Sequence, residues 1–209
     1  MIATEIKSEV FLLDCVEGMK AYPDNHFDLA IVDPPYGLER FKANDGGNSK
    51  KITTFGDKDK NWNNIKPTTE YWAELFRVSK NQIVWGGNNF ELPTSEYFIV
   101  WDKGQMMPSF ARCEMAWTNC KVPAKIYAKR SQDLNRIHPT QKPTALYDWL
   151  LMNYAKEGDL ILDTHLGSGS SRIAAHKNGF DFTGFEIDPD YFRDGNRRFE
   201  DYKKQLRLF

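Results

Sequence analysis

The chain has 209 residues, 41% of them hydrophobic and 27% charged, which suits one globular domain with a substantial core. No apolar run approaches the roughly 20 residues of a membrane helix. The start, "MIATEIKSEVFLLDC", carries no signal-peptide pattern, so no membrane partner and a cytoplasmic location are expected. A net charge of -1 excludes a uniformly basic nucleic-acid surface but not a local one. Cys15, Cys113 and Cys120 lack metal spacing and the four histidines are scattered, so free thiols and no metal site are expected.

In chain order, β-rich apolar runs fall near 10–14, 28–33, 82–86, 97–102, 114–119, 160–163 and 182–187. Helix-like segments separate them at 68–80, 143–156 and 169–178. A last helix is expected from Pro189, N-capped by Asp188, to about residue 204. Strands alternating with helices predict an α/β fold with about seven strands and helices on both faces. One domain over 1–209 is expected. Residues 39–66 differ, being polar, Gly- and Lys-rich and without a period, and are expected to form a mobile loop. Trp85 and Trp101 read as core, and Gly86 to Phe90 as a turn lining a pocket.

The run Leu29-Ala30-Ile31-Val32 ends abruptly in Asp33-Pro34-Pro35-Tyr36. Two prolines cannot donate to a sheet, so the strand must stop there. The carboxyl ends of strands are where ligands bind in open parallel sheets. An acid, a stiff backbone and an aromatic ring at such an end are candidate catalytic groups.

A second constellation reads "LILDTHLGSGSS". A strand ends at Asp163, the turn Gly167-Ser168-Gly169 follows, a helix starts at Ser170, and Glu186 comes with the next strand, about 20 residues on. Glycines let backbone approach a ligand, and an acid about 20 residues on suits ribose hydroxyls. The third glycine of a pyrophosphate site is missing. A carboxylate at Asp163 repels phosphate and suits a cation instead.

With both ends in view, the sequence resembles the β-class DNA amino-methyltransferases, the N6-adenine and N4-cytosine DNA methylases. "DPPYGL" resembles their catalytic motif, "DTHLGSGSS" their cofactor loop, and "HPTQKP" (138–143) the motif that opens the cofactor pocket. Catalytic before cofactor motif is the circularly permuted order of that class. The resemblance implies a Rossmann-like methyltransferase fold, mostly parallel with one reversed strand. It also implies S-adenosylmethionine, whose ammonium, sulfonium, ribose and adenine suit the second constellation. Asp14 is then expected at the adenine and Glu186 at the ribose. Cys15, Asp33, His138, Lys142, Pro143, Asp163, His165, Gly167, Ser168, Gly169 and Ile187 complete the expected cofactor site. Thr164 and His165 stand where the family has Pro-Phe, so His165 replaces the usual Phe.

The activity implied is site-specific methylation of adenine N6 in DNA, with base flipping, in DNA modification of the restriction–modification type. Asp33 and the Pro34 carbonyl would accept the two amine hydrogens, and Tyr36 would stack on the extruded base. Asp33 favours adenine over N4-cytosine, where Ser is more usual. The alternatives are an N4-cytosine enzyme, an RNA substrate, or an inactive cofactor-binding subunit that docks nucleic acid. The target-recognition region is expected to be reduced to about 120–137. Gln205, Leu206, Leu208 and Phe209 resemble a sliding-clamp peptide, which implies a bacterial or phage-infected host. A homodimer is the expected alternative to a monomer.

Overall fold

The computed structural model describes residues 6–37, 66–105, 111–129, 137–138 and 140–206. In order, the elements are β1 (Ser8–Leu12), α1 (Cys15–Met19), β2 (Phe27–Val32), α2 (Thr69–Val78), β3 (Ser79–Trp85), β4 (Phe98–Asp102) and β5 (Cys113–Thr118). There follow β6 (Lys125–Ala128), α3 (Thr144–Tyr154), β7 (Leu160–Asp163), α4 (Ser170–Lys177), β8 (Asp181–Glu186) and α5 (Pro189–Leu206). Of the expected 39–66 loop only Lys66 lies among the described residues, and Leu208 and Phe209 lie outside them.

The strands form one sheet in the order β1-β8-β7-β2-β3-β5-β4-β6. Only β5 runs against its neighbours, pairing antiparallel with β3 and β4, while every other pair is parallel. The single reversed strand is as expected; the strand count of about seven becomes eight among the described residues. The extra strand, β6, pairs with β4 at the sheet edge inside the segment read as a reduced target-recognition region. Its four residues alternate between half-buried and exposed, and Ile126 is exposed, so no continuous apolar run announces it.

β2 lies at the centre and is apolar on both faces because both are covered. Leu29 and Ile31 pack into the core shared with Leu146, Leu150 and Ala174 of α3 and α4. Ala30 and Val32 face the other way, onto Tyr71, Leu75 and Val78 of α2. This two-residue period makes Leu29, Ile31 and Val32 each worth about 1.5–3 kcal/mol of burial on its own side. Trp85 and Trp101 are core, as expected, their rings 6.3 Å apart.

β2 and β7 are neighbours, with Leu29 opposite Ile161. From β2 the sheet continues to β3 on one side; from β7 it continues to β8 on the other. The carboxyl ends of β2 and β7 therefore flank the point where the connections diverge, which is where open α/β sheets hold ligands. Asp33 follows the first strand and Asp163 ends the second. At the far end of β8, Asp188 caps α5 as expected, its Oδ1 accepting from the backbone of Asp190 (2.9 Å) and Tyr191 (3.1 Å).

Candidate active site

Asp33 leaves β2 with both carboxylate oxygens engaged. The Tyr36 hydroxyl donates to Oδ1 at 2.8 Å, and the Lys142 ammonium donates to Oδ2 at 2.5 Å. Lys142 is buried, 5.4 Å from the centre of the Trp85 ring, and also 3.3 Å from Oε2 of Glu114. Glu114 in turn pairs through Oε1 with Lys103 at 2.5 Å. Burial works to neutralise Lys142, but Asp33 and Glu114 outweigh it and hold the ammonium above its ordinary pKa. Burial, with Asp33 and Glu114 beside it, pushes the Tyr36 phenol up, so it stays protonated and a donor.

Behind Tyr36 lies the 86–90 turn. Gly86 has φ +66°, and a Cβ there would stand 2.3 Å from the Tyr36 ring. The turn expected to line the pocket instead supports the ring that does.

The wall opposite comes from β7 and β8. Gly167, at φ +50°, donates its N–H to Glu186 Oε2 at 2.7 Å, and Asp188 N–H donates to Oε1 at 2.9 Å. Glu186 is thus held at both oxygens by backbone, and burial pushes its pKa up. The turn is braced from α5: Arg198 donates to Ser168 O and to Ser170 Oγ, both at 2.9 Å. Gly195 lets the chain approach, since a Cβ there would lie 3.1 Å from Gly167 O.

Asp163 is placed behind this wall, not on it. Its Oδ1 accepts from His165 N at 2.9 Å and its Oδ2 from Ser171 Oγ, and burial raises its pKa to about 7. Its neighbour Thr164 links the Tyr71 hydroxyl (2.8 Å) to His165 Nδ1 (2.9 Å). Burial lowers the His165 pKa to about 4, so the ring is neutral near pH 7. It meets Tyr71 edge to face at 5.4 Å between centroids.

These walls enclose a cavity of about 300 Å³. The structure brings together on it Asp14, Cys15, Asp33, Pro34, Pro35, Tyr36, His138, Lys142, His165, Gly167, Ser168, Glu186 and Ile187. Pro143, Asp163 and Gly169 are not on its wall. Asp14 also caps α1, its Oδ1 accepting from Val16 N at 2.9 Å. Burial and Asp14 push the Cys15 thiol up to about 12, so it is uncharged. His138 packs on Tyr191 with ring centroids 4.3 Å apart. Sequence reasoning missed Glu114, Tyr147 and Tyr191 on the wall, and Arg198 behind it. Among the described residues no cluster could hold a metal ion.

A sheet with one reversed strand, and a cavity at its switch point between Asp33 and Glu186, define a Rossmann-like α/β fold with a ligand site at the carboxyl ends of its strands. The profile of a family described as DNA methylase matches residues 84–197, more than half of the chain, and the chain belongs to that family. YubD of Escherichia coli (strain K12), named as a methylase, is 27% identical over 208 residues, covering 88% of this chain and 87% of its own. The type II methyltransferase M2.DpnII of Streptococcus pneumoniae is 25% identical over 139 residues; the match takes in 66% of this chain and about half of that one, 49%. Two solved structures share the fold. The M1.HpyAVI–SAM complex has a TM-score of 0.60 at 20% identity, covering 93% of this chain and 100% of that one. The cytosine-N4-specific PvuII DNA methyltransferase has 0.61 at 13% identity, covering 96% and 93%.

Proposed function

We propose that this DNA methyltransferase transfers the methyl group of S-adenosylmethionine to N6 of adenine in DNA. The observation that carries the reading is Asp33, set at the end of β2 between Tyr36 and Lys142 and opening onto the cavity that Glu186 also borders. The residues fit the cofactor. Gly167 exposes bare backbone to the cavity, with the His138 ring 3.7 Å from where its Cβ would be. Glu186 accepts from the backbone N–H groups of Gly167 and Asp188, and the acceptor sites of a carboxylate leave room beside them for a ribose hydroxyl. A volume of about 300 Å³ is at the lower bound for small-molecule sites.

When bound, S-adenosylmethionine supplies an electrophilic methyl group on a sulfonium. The chain's own residues address the amine. The lone pair of an exocyclic amine is delocalised into its ring, so the nitrogen attacks poorly until it becomes pyramidal. Asp33 and the Pro34 carbonyl accept its two hydrogens and favour that geometry, and the two prolines fix the carbonyl direction. As the nitrogen gains positive charge, the Asp33 carboxylate stabilises it and takes the proton that leaves. Tyr36, anchored to Asp33, offers a ring face to the extruded base, worth about 1–3 kcal/mol.

N4-cytosine remains the second reading, since the same clamp suits its amine; the likeness to the cytosine-N4-specific PvuII enzyme supports it. Incubation with labelled cofactor and mixed DNA, followed by nucleoside analysis, decides. N6-methyladenine is expected; N4-methylcytosine alone would reverse the assignment. A restriction–modification setting rests on the type II relative. Clamp binding by Gln205, Leu206, Leu208 and Phe209 rests on the sequence resemblance alone. It predicts that deleting the last two residues removes clamp pull-down and spares short oligonucleotides. A homodimer in solution is checked by sedimentation.

A further inference from the structure

Lys142 was expected at the cofactor, yet the structure turns its ammonium onto Asp33. Acids crowd this cavity: Asp14, Asp33, Glu114, Glu186 and Asp188 all lie on its described wall, and Lys142 is its only lysine or arginine. A buried ammonium needs partners to stay charged. Lys142 has two, and they are not equivalent. Its short hydrogen bond goes to Asp33 Oδ2 at 2.5 Å, whereas Glu114 Oε2 stands farther off, at 3.3 Å. Glu114 is itself shared with Lys103. An array Lys103–Glu114–Lys142–Asp33–Tyr36 therefore runs into the base site.

We propose that Lys142 is the positioning residue for Asp33, orienting that carboxylate for the amine and facing it with the one ammonium on the described wall, and that Glu114 tempers the grip. The inference rests on the methyl-transfer reading. The negative charge of Asp33 is what stabilises the developing cation and takes the departing proton. The other cation of the array, Lys103, is paired with Glu114 rather than with Asp33, and the remaining groups facing the cluster carry no positive charge. Tyr36 and Tyr147 are protonated phenols, His165 is neutral, and Asp163 and Asp14 are acids. Without Lys142, Asp33 and Glu114 would face one vacated volume, and like charges in a buried site push a carboxylate upward. Without the Glu114 charge, Lys142 would belong to Asp33 alone and compete with the amine for it. The two removals thus act in opposite directions, which a packing role does not do.

The test is the pH dependence of single-turnover methyl transfer to DNA from about pH 5 to about pH 9, with cofactor affinity measured by calorimetry alongside. In Lys142→Met the acid limb should move up by about one pH unit or more, and Lys142→Arg should bring it back. In Glu114→Gln the limb should move down, with a lower plateau rate. Cofactor affinity should stay within a few-fold of wild type in all three. An unmoved limb in Lys142→Met, or limbs moving the same way in Lys142→Met and Glu114→Gln, overturns the inference. So does a large loss of cofactor affinity with an unmoved limb, which would return Lys142 to the cofactor. Should Lys142→Met not fold, Glu114→Gln decides: a lowered limb supports the inference and any other result overturns it. If wild type transfers no methyl group to DNA, the underlying reading fails; if it does and the limbs stand still, only the positioning role fails.

Discussion

Gly86 and Tyr36 lie against each other so closely that a Cβ on the glycine would stand 2.3 Å from Cε1 of the ring. Fifty positions separate them in the chain, yet the turn after β3 is the seat of the residue that anchors to Asp33. Gly86→Ala should therefore do two things. The left-handed backbone at φ +66° costs about 1–2 kcal/mol with a side chain. The ring must also move, taking its hydroxyl away from Asp33. We expect methyl transfer to fall about tenfold or more, with cofactor affinity unchanged, in single-turnover kinetics beside calorimetry. Tyr36→Phe, which keeps the ring and loses the 2.8 Å hydrogen bond, should lose less. An alanine enzyme as active as wild type would show that the ring's seat does not matter.

Asp33→Asn should abolish transfer while cofactor affinity stays within a few-fold. Asparagine keeps the shape and an acceptor oxygen but carries no charge to stabilise the developing cation, and it cannot take the proton. It also leaves Lys142 facing Glu114 alone. Measurable turnover in the asparagine variant would remove Asp33 from the chemistry.

The sheet was legible because its central strands are buried on both faces and read as continuous apolar runs. β6 was not, because an edge strand with exposed Ile126 has no such run. The two ends of the site were legible for a related reason. Consecutive prolines and closely spaced glycines are backbone instructions, and they act where they stand. What joins those ends is long-range: 109 positions separate Lys142 from Asp33, and the reversed strand β5 alone brings Glu114 to them. Arg198 is one of many charged residues in α5, and nothing local marks it as the brace of the glycine turn.

Glu186→Ala should weaken cofactor binding before it affects chemistry. The carboxylate loses its bonds to ribose hydroxyls, on the order of 1.5–3 kcal/mol for a charged partner. It also releases the N–H groups of Gly167 and Asp188, so the turn loses two of its fixed points. Calorimetry should show the loss directly, with transfer at saturating cofactor reduced less than affinity. Equal affinity in wild type and variant would sink the ribose assignment.

The neighbours Asp163 and His165 should oppose each other in the pH dependence of stability. Asp163 rises from an ordinary 3.8 to about 7 on folding, so between those values the folded chain holds a proton the unfolded chain has released. Its contribution therefore falls as pH rises from about 4 to about 7. His165 drops from 6.5 to about 4, so between those values the unfolded chain holds the extra proton. Its contribution rises over nearly the same window, and the two slopes offset. Asp163→Asn keeps an oxygen for His165 N–H and an amide for Ser171, and removes only the falling slope. His165→Phe removes only the rising one. Thermal unfolding across about pH 4 to 7 should show Tm climbing more steeply with pH than wild type in the first variant. In the second, Tm should fall relative to wild type as pH rises. Slopes that change in the same direction in both variants would mean that one of the two groups does not titrate as its burial demands.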